Sequence, residues 1–316
     1  MVGGRGIHRA VRLSPRETQR AFRCEGCAVI PYLVNLATLI AIFGILASSM
    51  NVLLGYGGIF SVAHATFMGL GAYAAAQIAL LITPDLLLAC LAAVIVTSVF
   101  SVCLALPSLR VRNEYFIVAS LGLQMVAVAV FTDAHAITGG MGGLVGIPQA
   151  ELFGIPVGGG FAFLIVCLAI LVLNLLIVFV LMRGSFGRSL MAMRDNESAA
   201  QALGKNIPML KTFATLLGCS MAGIAGALFA FYLQFVNVES FTIQQSILIV
   251  AMVVIGGIGT FSGPLVGAVL LLLLPSALSF IPGLPAEDIG AVQQLIYGLL
   301  MVLLMMFRPS GIAGRH

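Results

Sequence analysis

Nine long apolar stretches follow one another along the chain, at roughly 29–50, 52–82, 86–106, 115–132, 159–182, 212–235, 243–258, 264–281 and 290–307. Several reach the roughly 20 helical residues that a hydrocarbon core requires. They do not read as the ~10-residue alternating segments of an outer-membrane barrel. In lipid each backbone N–H and C=O needs a partner within the protein, so the stretches are helices. The pattern predicts an all-α fold, a polytopic membrane bundle of about 8–10 transmembrane segments.

Polar positions between the stretches supply an orientation. Lysine and arginine collect in the N-terminal arm, at Arg110 with Arg112, in the 183–211 loop, and at Arg308 with Arg315. The positive-inside rule assigns all four regions to the cytoplasm. The connections at Asp133 to Glu151, Glu239, and Glu287 with Asp288 carry only acids and are compatible with the outside. Residues 1–28 read as a cytoplasmic basic arm, 29–308 as one transmembrane domain, and 309–316 as a cytoplasmic tail. Both termini are thereby expected in the cytoplasm.

The first third does not count evenly. An inside arm and an inside Arg110 require an even number of crossings, yet three stretches lie between them. The 52–82 stretch carries Gly55, Gly57, Gly58, Gly69 and Gly71, and glycine weakens a helix. It is the stretch expected to be broken or re-entrant, which lipid tolerates only where protein or a cavity covers the backbone. A second interruption runs from Gly256-Gly257 to Gly263-Pro264. Paired breaks in two halves mark a transport pathway, which makes Gly57, Gly58, His64, Gly256 and Gly257 candidates for it. Close helix packing also selects glycine, and both readings stand. For a lone His64 among glycines and alanines, a hydrogen-bonded structural role is the plainer reading. Gly218, Ala222, Gly226 and Ala230 recur every fourth residue and form one small-residue packing face.

Composition supports lipid as the solvent: 61% of the 316 residues are hydrophobic and 8% charged, against ~25% charged in soluble domains. Chemistry is sparse. No acid sits clearly at mid-bilayer, where a proton-coupled carrier would place one. No nucleophile–base pair or metal-ligand cluster suggests an enzyme, and no cofactor is implied. Cys24 and Cys27 form a CxxC without a second pair or nearby histidines, and read as a plain juxtamembrane pair. The arm's six arginines, mixed with Glu17 and Glu25, are too sparse for a nucleic-acid tail. The one Gly-Lys pair, Gly204-Lys205, lacks the upstream glycine of a phosphate loop. If ATP drives this protein, a partner must bind it.

The 183–211 loop predicts a short helix. Asp195 or Asn196 can cap its start, Glu197 to Leu203 are helix formers, and Gly204 suits a left-handed stop before Pro208. Read alone, Glu197 favours the helix start by roughly 0.3–1 kcal/mol, too little for a change there to unfold a membrane bundle. A helix this short is marginal in isolation, so it leans either on the membrane surface or on a partner.

Glu197-Ser198-Ala199-Ala200 followed by Gly204 resembles the EAA coupling segment of ABC importer permeases. Further matches occur in order: Asn51 to Gly58, Ser61 to Ala65, Gly69 to Tyr73, Arg110 to Phe116, Thr138-Gly139-Gly140, Gly146 to Pro148, Glu239 to Thr242, Gly256 to Thr260, and Phe307 to Gly311. Together, from about residue 30 onward, they resemble the branched-chain amino-acid permease family, in its LivM-type branch. The family usually has glycine where Ala63 stands, proline at Val238, and Pro-Asn where Met141-Gly142 stand. Urea and short-amide importers share the pattern. The resemblance implies one permease of a homologous pair in a bacterial inner membrane, with two cytoplasmic ATPases that hold the pair's coupling segments, here Glu197, Ala199, Ala200 and Gly204. It also implies a periplasmic or extracellular binding protein that delivers substrate. A stand-alone secondary transporter is the rival reading, disfavoured by the missing intramembrane charges.

Overall fold

The computed structural model describes residues 15–110, 113–158, 160–278, 289–307 and 311–313. Helix α1 (Pro15–Asn51) runs into a π-helical turn (Val52–Tyr56), an irregular stretch follows, and α2 (His64–Leu81) begins. Helices α3 (Leu86–Arg110) and α4 (Asn113–Asp133) come next, then the single turn α5 (His135–Thr138). A cap of short strands follows: β1 (Leu144–Val145), β2 (Glu151–Leu152) and β3 (Ile155–Pro156). The chain continues through α6 (Gly160–Arg183), α7 (Ser185–Asp195), α8 (Glu197–Ala202) and α9 (Ile207–Leu233). Strand β4 (Phe235–Val236) precedes a 3-10 turn (Val238–Phe241), then α10 (Ile243–Gly256), α11 (Gly263–Leu278) and α12 (Ile289–Phe307). Strand β1 pairs antiparallel with β4, and β2 with β3.

Among the described residues six helical stretches are long and apolar enough to cross a membrane, and α10, α11 and α12 contain shorter apolar helices. This is the polytopic helical bundle that the apolar pattern predicts. Helix α1 spans 37 residues, about 55 Å at 1.5 Å per residue, so it exceeds the ~30 Å hydrocarbon thickness. The segment expected as an arm over residues 1–28 is helical from Pro15 onward.

Helices α2 and α9 form the centre. Two thirds of their spanning windows are buried (67% each), against 22–28% for α3, α4 and α6. Apolar burial cannot drive helix association in lipid, so close backbone approach carries the packing. A Cβ at Gly226 would lie 1.9 Å from the Met68 carbonyl oxygen, and one at Gly218 2.1 Å from Leu53 Cδ1. Ala222 and Ala230, on the same stripe, are fully buried. On a neighbouring stripe, a Cβ at Gly71 of α2 would fall 2.2 Å from the Gly223 oxygen of α9.

Side-chain contacts sort the helix ends into two faces. Helices α1 and α6 run parallel, since Gly160 neighbours Val34 and the Ser48 hydroxyl donates to Asn174 Oδ1 at 2.9 Å. The Asn51 end of α1 therefore shares a face with Arg183. Arg194 of α7 donates to the Gly55 carbonyl on that same face. Asn51 bonds the 259–260 loop, and Ile312 N–H donates to Ile255 O, which adds the α10–α11 connection and residues 311–313. The opposite face carries the strand cap, tied to the α2–α3 connection by Glu151 N–H to Pro84 O at 2.9 Å. Arg183, Arg188, Arg194, Lys205 and Lys211 lie on the first face; Asp85, Asp133, Glu151 and Glu239 lie on the second.

The interruption expected within 52–82 occurs between the π-helical turn and His64. The crossing count closes by another route. Helix α2 begins inside the bundle yet ends on the acidic face, and α1 has its Ile30 end there too. The Ile30 end and residues 311–313 therefore lie on opposite faces.

Candidate functional site

On the basic face, α7 folds back under the end of α6. The turn is tight because Gly187 packs on main chain: a Cβ there would sit 2.1 Å from the Met182 oxygen. Helix α8 follows after one residue. Asn196 Oδ1 accepts the Ala199 N–H at 3.0 Å and caps its start, satisfying a donor that a helix N-terminus leaves free. The C-terminus closes as a Schellman motif, with Gly204 N–H to Gln201 O at 2.9 Å and Lys205 N–H to Ala200 O at 3.1 Å. Gly204 takes φ +78, and nothing lies within 4 Å of a Cβ placed there.

Glu197 is tied down. Lys211 Nζ donates to both of its carboxylate oxygens, at 2.9 and 3.1 Å. The Lys211 side chain is 8% exposed, so this pair carries α8 on the start of α9. Ala200 faces inward, whereas Ala199 faces solvent. Leu203, at the end of α8, is 78% exposed and leaves an apolar knob at the tip of the helix.

The two glycine breaks meet beside this loop. In the first, the π-helical turn uses up its last carbonyls: Gly57 N–H bonds Val52 O, Gly58 N–H bonds Leu54 O, and Ile59 N–H bonds Leu53 O. The Gly55 carbonyl instead accepts Arg194 Nη1 at 2.8 Å. Gly58 takes φ +65, and a Cβ there would come within 2.7 Å of Arg194 Cγ. In the second, Gly257 takes φ +128 and Gly259 φ +72, and Thr260 Oγ1 donates to the Gly257 carbonyl at 2.8 Å. Asn51 joins the two: its Nδ2 donates to Thr260 O and its Oδ1 accepts Gly259 N–H, both at 2.9 Å. Gly256 lies one residue deeper, where a Cβ would fall 1.9 Å from Gly263 O, so it serves the α10–α11 contact.

His64 belongs to a separate, buried network. Its Nε2 lies 2.7 Å from Ser49 Oγ, and the residue is 1% exposed. The start of α2 lies inside the bundle, so its free N–H groups find side-chain partners there. Val62 N–H donates to Ser120 Oγ, Ala65 N–H to Ser246 Oγ, and Thr66 N–H to Gln124 Oε1. Gln124 Nε2 closes the network on Phe241 O at 2.7 Å.

The structure thus brings Gly57, Gly58, Gly256 and Gly257 to one end of the bundle and leaves His64 apart from them. Glu197, Ala199, Ala200 and Gly204 share one helix and its stop. Asn51, Arg194, Lys211 and Gln124 were not singled out from the sequence. Arg194 and Lys211 counted there only as loop charges, and a single amide in an apolar run carries no local signal. The side chains of Cys24 and Cys27, and Arg112, Glu287, Asp288 and Arg308, lie outside the described residues. Among the described residues no group of three or more His, Cys, Asp or Glu could hold a metal ion.

The family model described as "Branched-chain amino acid transport system / permease component" matches residues 32–305. The high-affinity branched-chain amino acid transport system permease protein LivM of Salmonella typhimurium is 30% identical over 302 residues, covering 88% of this chain and 69% of LivM. The probable branched-chain amino acid transport permease protein LivH of Methanocaldococcus jannaschii is 27% identical over 229 residues, covering 67% of this chain and 68% of LivH. The autoinducer 2 import system permease protein LsrC of Salmonella paratyphi B is 31% identical over 164 residues, covering 50% of this chain and 45% of LsrC. No solved structure matches. A family match across nearly all the spanning helices, joined to LivM-level identity over 88% of the chain, carries the conclusion: the chain belongs to the branched-chain amino acid transport permease family.

Proposed function

We propose that this chain is the membrane-spanning subunit of an ABC importer for branched-chain or related hydrophobic amino acids, without an ATPase site of its own. The basic face is cytoplasmic by the positive-inside rule. That assignment sets the Ile30 end of α1 outside. A homologous second permease completes the pathway, a reading supported by likeness to both LivM and LivH. One of two ATPases engages α8, the other the matching segment of the second permease, and a binding protein delivers substrate to the acidic face. ATP-driven closure of the ATPases switches the pathway between outward and inward access.

One observation carries this reading. A six-residue helix, capped by Asn196, stopped at Gly204 and pinned through Glu197 to Lys211, stands on the basic face with Leu203 exposed at its tip. An isolated helix of this length is marginal in water, and an exposed apolar knob on a rigid ridge suits a partner's groove. Lys211 draws α8 onto the bundle, so a push on the ridge reaches α9.

The test is co-purification with candidate partner subunits, then uptake by proteoliposomes with leucine, isoleucine, valine and urea as substrates. The expected outcome is ATP-dependent uptake of the amino acids, and no hydrolysis by the purified chain alone. Hydrolysis by the lone chain, or uptake without ATPase subunits, would overturn the proposal.

A further inference from the structure

We propose that Arg194 is the positioning residue through which movement of the coupling helix reaches both glycine breaks. The inference rests on the ABC-importer reading and names the part that transmits force within it. Arg194 is the penultimate residue of α7, three residues before Glu197 opens α8. Its Nε and Nη2 donate to Asp195 Oδ1 at 3.0 and 2.9 Å, which holds the plane of the guanidinium. The remaining nitrogen, Nη1, donates to the Gly55 carbonyl at 2.8 Å.

The fit around this side chain is tight on two sides. Its stem fills the space where Gly58 lacks a side chain, and Nη1 lies 3.1 Å from where a Cβ at Gly259 would sit. The two breaks are therefore built around one guanidinium. Asn51 binds both breaks to each other, so displacement of Arg194 moves them as a unit. The contact can also be released. Its one bond to the breaks is to a main-chain carbonyl, and the Arg194 and Asp195 side chains are 36% and 67% exposed, so water replaces the lost bonds at small cost. A charge-assisted bond to a helix-end carbonyl holds this arrangement without locking it.

Lysine cannot reproduce the arrangement. Its single ammonium can reach a carbonyl, but it has no planar fork to bind Asp195 at the same time. A merely structural residue would alter assembly or stability, and would change hydrolysis and uptake in proportion.

The experiment uses the assembled complex in proteoliposomes, with ATP hydrolysis and leucine uptake measured together for wild type, Arg194→Gln, Arg194→Lys and Asp195→Asn. The expected result for Arg194→Gln is hydrolysis within about twofold of wild type, with uptake per ATP reduced about tenfold or more. Arg194→Lys and Asp195→Asn should fall between. Proportionate loss of both activities, or unchanged uptake per ATP, overturns the proposal. If Arg194→Gln does not assemble, Arg194→Lys decides by the same ratio, since it keeps the charge and the stem beside Gly58 but loses the fork that spans Asp195 and Gly55. A wild-type complex that hydrolyses ATP but imports nothing refutes the importer reading itself. A wild-type complex that imports, beside an Arg194→Gln complex that imports equally well per ATP, refutes the Arg194 link alone.

Discussion

Lys211 sits in the second turn of α9 with its side chain nearly buried, and its ammonium is paired with Glu197. A cation held away from water needs its partner; breaking a buried pair costs about 3–5 kcal/mol, less when one member is half exposed as Glu197 is. Glu197 therefore does more than favour a helix start. Glu197→Lys should lower the melting temperature of the detergent-purified protein, equivalent to about 1–3 kcal/mol. The double reversal Glu197→Lys with Lys211→Glu should recover most of that loss. Equal melting of the single and double variants would remove the pair from the account. Gly204 behaves oppositely: the space around it is open, so a side chain there costs only left-handed backbone strain, about 1 kcal/mol. A loss of ATPase binding in Gly204→Arg would then report on the docking surface and not on the fold. The loop's own residues announced α8, because Asn196, Glu197 and Gly204 act within one turn of the backbone they serve. Lys211 could not be read in this way, since its partner lies 14 residues back and only the folded chain joins them.

At the scale of elements, α2 is the unusual one, because a helix start normally meets water and this one lies inside the bundle. Its donors are satisfied by Ser120 and Gln124 from α4 and Ser246 from α10. Gln124→Leu would strand the Thr66 hydroxyl and the Phe241 carbonyl, at about 1–3 kcal/mol for each buried group left unpaired, while the Thr66 N–H keeps the Ala63 carbonyl. Ser120→Ala strands the Val62 N–H alone. Thermal melts should accordingly rank Gln124→Leu well below Ser120→Ala, and the reverse order would contradict this network. The interruption before α2 was legible because glycines accumulate over a few residues. Its partners were not, since they are single polar side chains 58 to 181 residues away. The same reason hides the strand cap. Two-residue strands such as β1 and β4 are defined by pairing across 90 residues of chain, and an apolar pattern is blind to that. Helix α7 escaped notice because Ser185-Phe186-Gly187-Arg188 is a poor helix start whose stability comes from packing under α6.

For the whole molecule, the spanning elements sort charge by face, and the described ends of the chain fall on opposite sides. In a variant with its native cysteines replaced, single cysteines at Ile30 and Phe153 should react with a membrane-impermeant maleimide from the side opposite to one at Lys205. Labelling of Ile30 and Lys205 from a common side would reverse α1. The charge map could be read from the chain because it is a sum over loops. The direction of α1 could not, because it depends on which helix α1 lies beside. One feature of the basic face bears on how such a molecule drifts through mutation. Arg194 and Asn51 reach across to Gly55 O, Gly259 N and Thr260 O, which are main-chain atoms that every sequence possesses. What the breaks must supply is an absence of bulk, since Gly58 and Gly259 make room and offer no functional group. Neighbouring residues are then free to change identity without rewriting the joint, and the basic end of the bundle can stay mechanically constant while other surfaces diverge.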